Sequence, residues 1–269
     1  MQDEYVGDIG DYGKYALLRW LAIGGAARQR PGLRLGIVWY RTNHAEVDRE
    51  NNGDGRHLGY LESPRYPEYR LLSPSIWKEL GRIAFDAEGN RRTVANGRTV
   101  WAVMRSRIFD PGTVFYDKAI SFAGTATTQR LQRREEWLQA ALAATAAADF
   151  VFLDPDNGFQ VEASRTSRQG LKFCFYDEVR HFLHRRQSVV VYQHYARGAK
   201  VGDRAAARLK EIKEGCECDA VALGFSAWQH RYFYLLPAGS FGRCLGRRAE
   251  QFVANADNVL PERWTVHRP

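Results

Sequence analysis

The sequence predicts an α/β fold: a doubly wound, mostly parallel sheet closed by an antiparallel C-terminal hairpin, with an irregular insertion. Three observations carry this. The apolar runs 35–40, 150–153 and 188–192 have the length and composition of strands buried on both faces. Stretches of helical period lie between the later runs, and such alternation builds a parallel sheet with helices on both sides. Two further runs, 220–225 and 231–236, are separated only by 226–230, too short for a crossover helix, so they pair antiparallel.

Taken in order, the first element is a helix over 13–22, with Asp11 as its N-cap and Gly24-Gly25 as its stop. Leu17, Leu18 and Leu21 share one face. The strand 35–40 follows, then a polar loop over 51–57. Residues 64–112 carry Pro64, Pro67, Pro74 and Pro111 and weak apolar periodicity, and read as an insertion or cap within a single α/β domain spanning 1–269. A strand is expected over 113–117. A helix is expected over 128–147, with Leu131, Leu138 and Leu142 buried and Arg130, Arg133 and Arg134 outside. The strand 150–153 is placed centrally. A helix over 176–186, the strand 188–192 and a helix over 203–214 lead into the hairpin.

Composition sets limits on function. The chain is 45% apolar and 26% charged, as a folded globular protein is, not a disordered one. No apolar run approaches the roughly 18–20 residues of a membrane span, and the N-terminus lacks the basic start and apolar run of a signal peptide. Cys174, Cys216, Cys218 and Cys244 are too irregularly spaced for a disulfide framework. Cys216-Glu217-Cys218 lacks the second ligand pair of a metal site. The expectation is a cytoplasmic protein with reduced thiols, not bound to membranes. A net charge of +8 favours a polyanionic partner, RNA or DNA, and the arginines Arg130, Arg133, Arg134, Arg185 and Arg186 are expected to form a basic face.

The expected working centre is Asp154-Pro155-Asp156-Asn157-Gly158. It follows a buried strand directly, so it lies at the carboxyl edge of the sheet, where open α/β folds bind ligands. Two carboxylates and an amide in one short loop exceed what a plain turn needs, although an Asx-type turn remains the bland alternative. Phe159 follows as a stacking surface. The next strand delivers Tyr192, Gln193 and His194 to the same edge, with His194 the catalytic candidate and Tyr192 and Gln193 substrate-binding ones. Asp8, Asp11 and Lys14, in a Gly-rich segment before the first helix, are candidates for holding a cofactor, against simple helix capping. Gly53, Asp54 and Gly55 form a weaker candidate cofactor loop, equally readable as a surface turn.

The second half resembles a Rossmann-type S-adenosylmethionine-dependent methyltransferase. The likeness lies in the strand entering an acidic-Pro loop, two further helix–strand units and a closing hairpin, over about 113–236. It is loosely similar to bacterial large-subunit rRNA adenine-N6 methyltransferases, which also open with a Gly-containing segment leading into a Lys-containing helix. Their loop reads Asp/Asn-Pro-Pro-Tyr/Phe; here Asp156 replaces the second Pro and Phe159 lies one place beyond the aromatic position. The resemblance implies that Asp154 and the Pro155 carbonyl orient an exocyclic amine toward S-adenosylmethionine while Phe159 or Tyr192 stacks on the base. A competing reading takes Asp154 and Asp156 as an Asp-x-Asp pair holding Mg²⁺, completed by Asp8 or Asp11, in a nuclease or phosphohydrolase. A third is a non-catalytic nucleic-acid-binding protein.

Overall fold

The computed structural model describes residues 3–24, 32–42, 57–62, 66–160, 164–195 and 201–268. The chain begins with α1 (Ile9–Ile23), β1 (Leu35–Trp39) and four short helices, α2 (Gly59–Glu62), α3 (Pro67–Leu72), α4 (Pro74–Ala84) and α5 (Val100–Arg105). Then come β2 (Val114–Tyr116), α6 (Arg130–Ala144), β3 (Phe150–Asp154) and the two-residue strands β4 (Gly158–Phe159) and β5 (Phe173–Cys174). The chain ends with α7 (Tyr176–His184), β6 (Ser188–Tyr195), α8 (Val201–Cys216), β7 (Val221–Ala227), β8 (Gln229–Leu236), α9 (Gly242–Asp257) and β9 (Trp264–His267).

Seven strands form one sheet in the order β2-β1-β3-β6-β8-β7-β9. β1, β2, β3 and β6 are mutually parallel, and β7 runs with them because it and β6 each pair antiparallel to β8. The expected doubly wound fold, with 150–153 interior and a late antiparallel hairpin, is therefore present. One strand of this sheet was not expected, nor was the separate two-stranded pairing of β4 with β5. β9 adds antiparallel outside β7, so the hairpin is not the edge of the sheet. Its run Trp-Thr-Val-His is four residues long and half polar, a signal too short to read alone.

Side chains alternate across the sheet with the period of two that strands impose. Phe150 and Phe152 enter the core under α1 and α9; Val151 and Leu153 enter the core under α6, α7 and α8. The stretch read as irregular is helical, and its Tyr69, Ile76, Leu80, Val100 and Val103 join the first of these cores. In α4, Ile76, Leu80 and Ile83 recur at helical spacing on the buried side.

Two helix readings change. α1 begins at Ile9, and Asp8, not Asp11, caps it by accepting from the Gly10 and Asp11 amides. Gly24, at φ +77°, ends it as expected. In α6 the buried face is Arg134, Trp137, Leu138, Ala141 and Leu142, while Leu131 is 53% exposed. Arg134, expected outside, is 1% exposed because its donors are met. It pairs with Glu178 on α7 and donates to the carbonyls of Gly170 at 2.9 Å and Phe173 at 2.7 Å. The expected basic face is thereby broken. Arg185 and Arg186 also lie just before β6, at the sheet's amino edge, opposite the edge where β3 ends.

Removing one partner of a buried ion pair strands the other. Arg134→Ala is expected to destabilise the fold by about 3–5 kcal/mol. Leu131→Ala is expected to stay within about 0.5 kcal/mol of the parent. Denaturant titration of the two variants checks both values. A mild Arg134 effect would mean Glu178 finds other partners.

Candidate functional site

At the carboxyl edge, the N-terminus of α1 meets the ends of β3, β6 and β8. They enclose a cavity of about 110 Å³ lined by Tyr5, Asp8, Gly10, Asp11 and Lys14, by Asp154–Asn157, and by Tyr192, His194, Gln229 and Arg231. Segments far apart in sequence, read separately as a strand-end loop and a helix-start motif, converge here.

Lys14 joins them. It is 3% exposed, and its Nζ lies 2.9 Å from Asp11 Oδ1 and 2.9 Å from Asp154 Oδ2. The rings of Tyr15, Trp39, Tyr192 and Phe152 stand 5.4–6.0 Å from the same nitrogen, near enough for their negative faces to attract it. Burial opposes the ammonium form, but the two carboxylates outweigh it and hold the Lys14 pKa above its ordinary value. Asp11 also accepts from the Gly7 amide at 3.1 Å and the Tyr15 hydroxyl at 3.2 Å. Burial, reinforced by Asp8 and Asp154, pushes its pKa up to about 6 despite Lys14.

A second ion pair closes the cavity. Arg231, on β8, reaches Asp8 Oδ2 at 3.4 Å and Gln229 Oε1 at 3.3 Å. It lies directly across Gly10: a Cβ there would come within 2.2 Å of its Nε, so a side chain at position 10 would displace the guanidinium. Tyr192 hydrogen-bonds the guanidinium, whose buried Nη1 has no hydrogen-bond partner among the described residues. Tyr192 lines the cavity beside these groups, and burial raises its hydroxyl to about 12 against the pull of Arg231 and Lys14.

The expected site residues divide by position. Asp8, Asp11, Lys14, Asp154 and Pro155 form the buried wall; Asp156, Asn157, Tyr192 and His194 are half-buried at its mouth. Gln193 and Phe159 do not line it. Tyr192 and His194 leave β6 on one side, so period two sends Gln193 to the other. There its amide accepts from the Phe159 N–H at 3.0 Å and donates to the Asn157 carbonyl at 2.6 Å. Gly158, at φ +101°, lets the loop fold this closely, since a Cβ would lie 2.4 Å from Gln193 Cδ. Gln193 thus positions the loop. Phe159 is fully buried against Tyr176, ring centroids 5.1 Å apart, and cannot stack on a ligand. Gly53, Asp54 and Gly55 lie outside the described residues.

Tyr5, Gln229 and Arg231 were not foreseen. Arg231 left one trace, a cation opening an otherwise apolar strand. Its place opposite His194 follows only from the β6–β8 register.

No protein-family model matches the chain, and no curated protein does. A crystal structure of protein LPL1258 from Legionella pneumophila, of the family DUF519, superposes with a TM-score of 0.40 and 10% identity over 97% of each chain.

Two outcomes follow from the charge cluster. Lys14→Met leaves Asp11 and Asp154 buried without their cation and is expected to lower stability by about 3–5 kcal/mol. Asp11 holds its proton more tightly folded than unfolded. Its contribution to stability is therefore present below about pH 4 and lost as pH rises through about 6. Urea midpoints at pH 4.5 and pH 7 should show the parent losing stability relative to Asp11→Asn across that window. Parallel pH profiles for the two proteins would refute the assignment.

Proposed function

We propose that the protein transfers a methyl group from S-adenosylmethionine to an amine of a nucleic-acid base. The observation that carries this reading is the convergence of the Asp154–Asn157 loop and the Asp8–Lys14 segment on one cavity at the sheet's carboxyl edge. That is where an α/β fold presents a ligand to polar groups from several strand ends.

The donor set fits such a cofactor. The buried Nη1 of Arg231, unmet among the described residues, suits the donor's carboxylate, and the acidic wall suits its cationic centre. The cavity is far below the roughly 300–1,000 Å³ of pockets that engulf a whole ligand. Its described part thus suits the reacting ends of two molecules. S-adenosylmethionine, when bound, supplies an activated methyl group. The chain's task is orientation. Asp154 is held by Lys14, so it anchors the loop while Asn157, Asp156 and His194, at the mouth, meet the amine. The Asn157 side chain has no hydrogen bond to other described protein groups and can accept from an amine N–H. Holding the nitrogen lone pair in line is the main source of rate in such a transfer.

The metal reading has less support. The Lys14 ammonium stands between Asp11 and Asp154, where a divalent cation would have to sit. Among the described residues, no group of three or more His, Cys, Asp or Glu is arranged to hold a metal.

Calorimetric titration with S-adenosylmethionine, and transfer of labelled methyl to mixed RNA and DNA oligonucleotides with and without EDTA, test the proposal. Saturable donor binding and EDTA-insensitive labelling are expected. Asn157→Ala should slow transfer at least about tenfold with unchanged melting temperature, as loss of an orienting group does. Asp154→Asn should lower both activity and stability, because it removes a Lys14 partner. Mg²⁺-dependent cleavage of the oligonucleotides without donor binding would replace this function with the nuclease one.

A further inference from the structure

Trp228 forms the tip of the β7–β8 hairpin at φ +58°. Bulky residues avoid that left-handed conformation, whereas glycine and asparagine accept it readily. The chain nevertheless places an indole there and leaves it 44% exposed. Burial alone does not account for a large ring held on a strained turn and open to solvent. Such strain concentrates where function uses the side chain.

Other rings surround it. The His57 ring lies 6.0 Å from it at 22°, Tyr69 6.4 Å away at 27°, and Tyr66 5.4 Å away at 74°. The cluster borders the cavity by two independent links. Gln229, next in the chain, lines it. The His57 carbonyl accepts from the Ile9 amide at 3.2 Å, between Asp8 and Gly10, which also line it. Arg263, exposed, donates to the Ser226 carbonyl at 3.3 Å and so adds a cation beside the same hairpin. A part-exposed indole within an aromatic cluster, a cation and a polar cavity thus meet around one hairpin tip.

We propose that Trp228, flanked by Tyr66 and His57, is the platform on which an unpaired base of a single-stranded nucleic acid stacks as the strand crosses the cavity, with Arg263 meeting its backbone. This rests on the methyl-transfer reading and names its substrate as a strand with splayed bases. Every base has a π face, so stacking of this kind grips a strand without reading its sequence. The net charge of +8 favours the phosphates. The platform also supplies the stacking group that buried Phe159 cannot.

The test is fluorescence anisotropy of labelled, mixed-sequence single-stranded RNA and DNA at low salt. Trp228→Asn keeps the left-handed turn and removes the ring. Its Kd for the strand should rise at least about tenfold, with its affinity for S-adenosylmethionine unchanged. Trp228→Phe should retain most of the binding and guards against a fold defect, which thermal melting of both variants would show. Trp101→Ala, at another exposed indole, should bind as the parent does. Equal strand affinity in Trp228→Asn and the parent would overturn the platform and leave the cavity chemistry intact. A parent that binds the donor but neither oligonucleotide would overturn it too. Failure to bind the donor would instead remove the reading beneath it.

Discussion

The buried Lys14 ammonium is the constraint on which the rest of this structure depends. An ammonium taken out of water is tolerated only when paired, because its desolvation otherwise costs several kcal/mol. Here the partners come from two elements. Asp11 lies one turn back on α1, and Asp154 ends β3, 140 residues away. Satisfying the ammonium fixes the start of α1 at the carboxyl edge of the sheet and fixes the direction in which the Asp154 loop leaves β3. The cavity is the space left between them.

The opposite face of the sheet has its own ionic anchor, Arg134 with Glu178, which ties α6 to α7 and to the carbonyls of Gly170 and of Phe173 at the start of β5. That pair lies among the apolar residues of a helix layer. The Lys14 and Arg231 pairs border a cavity. In the cavity wall three carboxylates, Asp8, Asp11 and Asp154, face two cations, Lys14 and Arg231. Inside a basic chain the floor of this site is therefore mildly acidic. By charge alone, the floor disfavours an anion more than a cation. The wall's charges are neutralised mostly by one another.

The local readings that held are those whose cause is local. The run at 150–153 is apolar throughout and becomes a strand buried on both faces. The short link at 226–230 permits only a hairpin, and Gly24 stops α1 because its left-handed conformation suits glycine. The errors are those in which a residue's environment depends on distant partners. Arg134 reads as a solvent-facing cation until Glu178, Gly170 and Phe173 surround it. Phe159 reads as a stacking surface until the Gly158 turn folds it under the sheet. One misreading is local: Asp11 is given the cap role because the helix is expected to begin at 13, whereas it begins at Ile9. The structure awards it to Asp8 and turns Asp11 to Lys14.

The sequence by itself determined the alternation of strands and helices, the loop at the end of β3 and the Gly-rich acidic segment at the start of α1. Each is encoded by neighbours within a few residues, through backbone preference and apolar period. Only the tertiary structure decided that these two segments share one cavity, that Arg231 faces Asp8 across Gly10, and that Trp228 joins an aromatic cluster with His57, Tyr66 and Tyr69. Those are consequences of strand order and register. They are set by the burial of the whole sheet and by the pairing of charges that no short window contains.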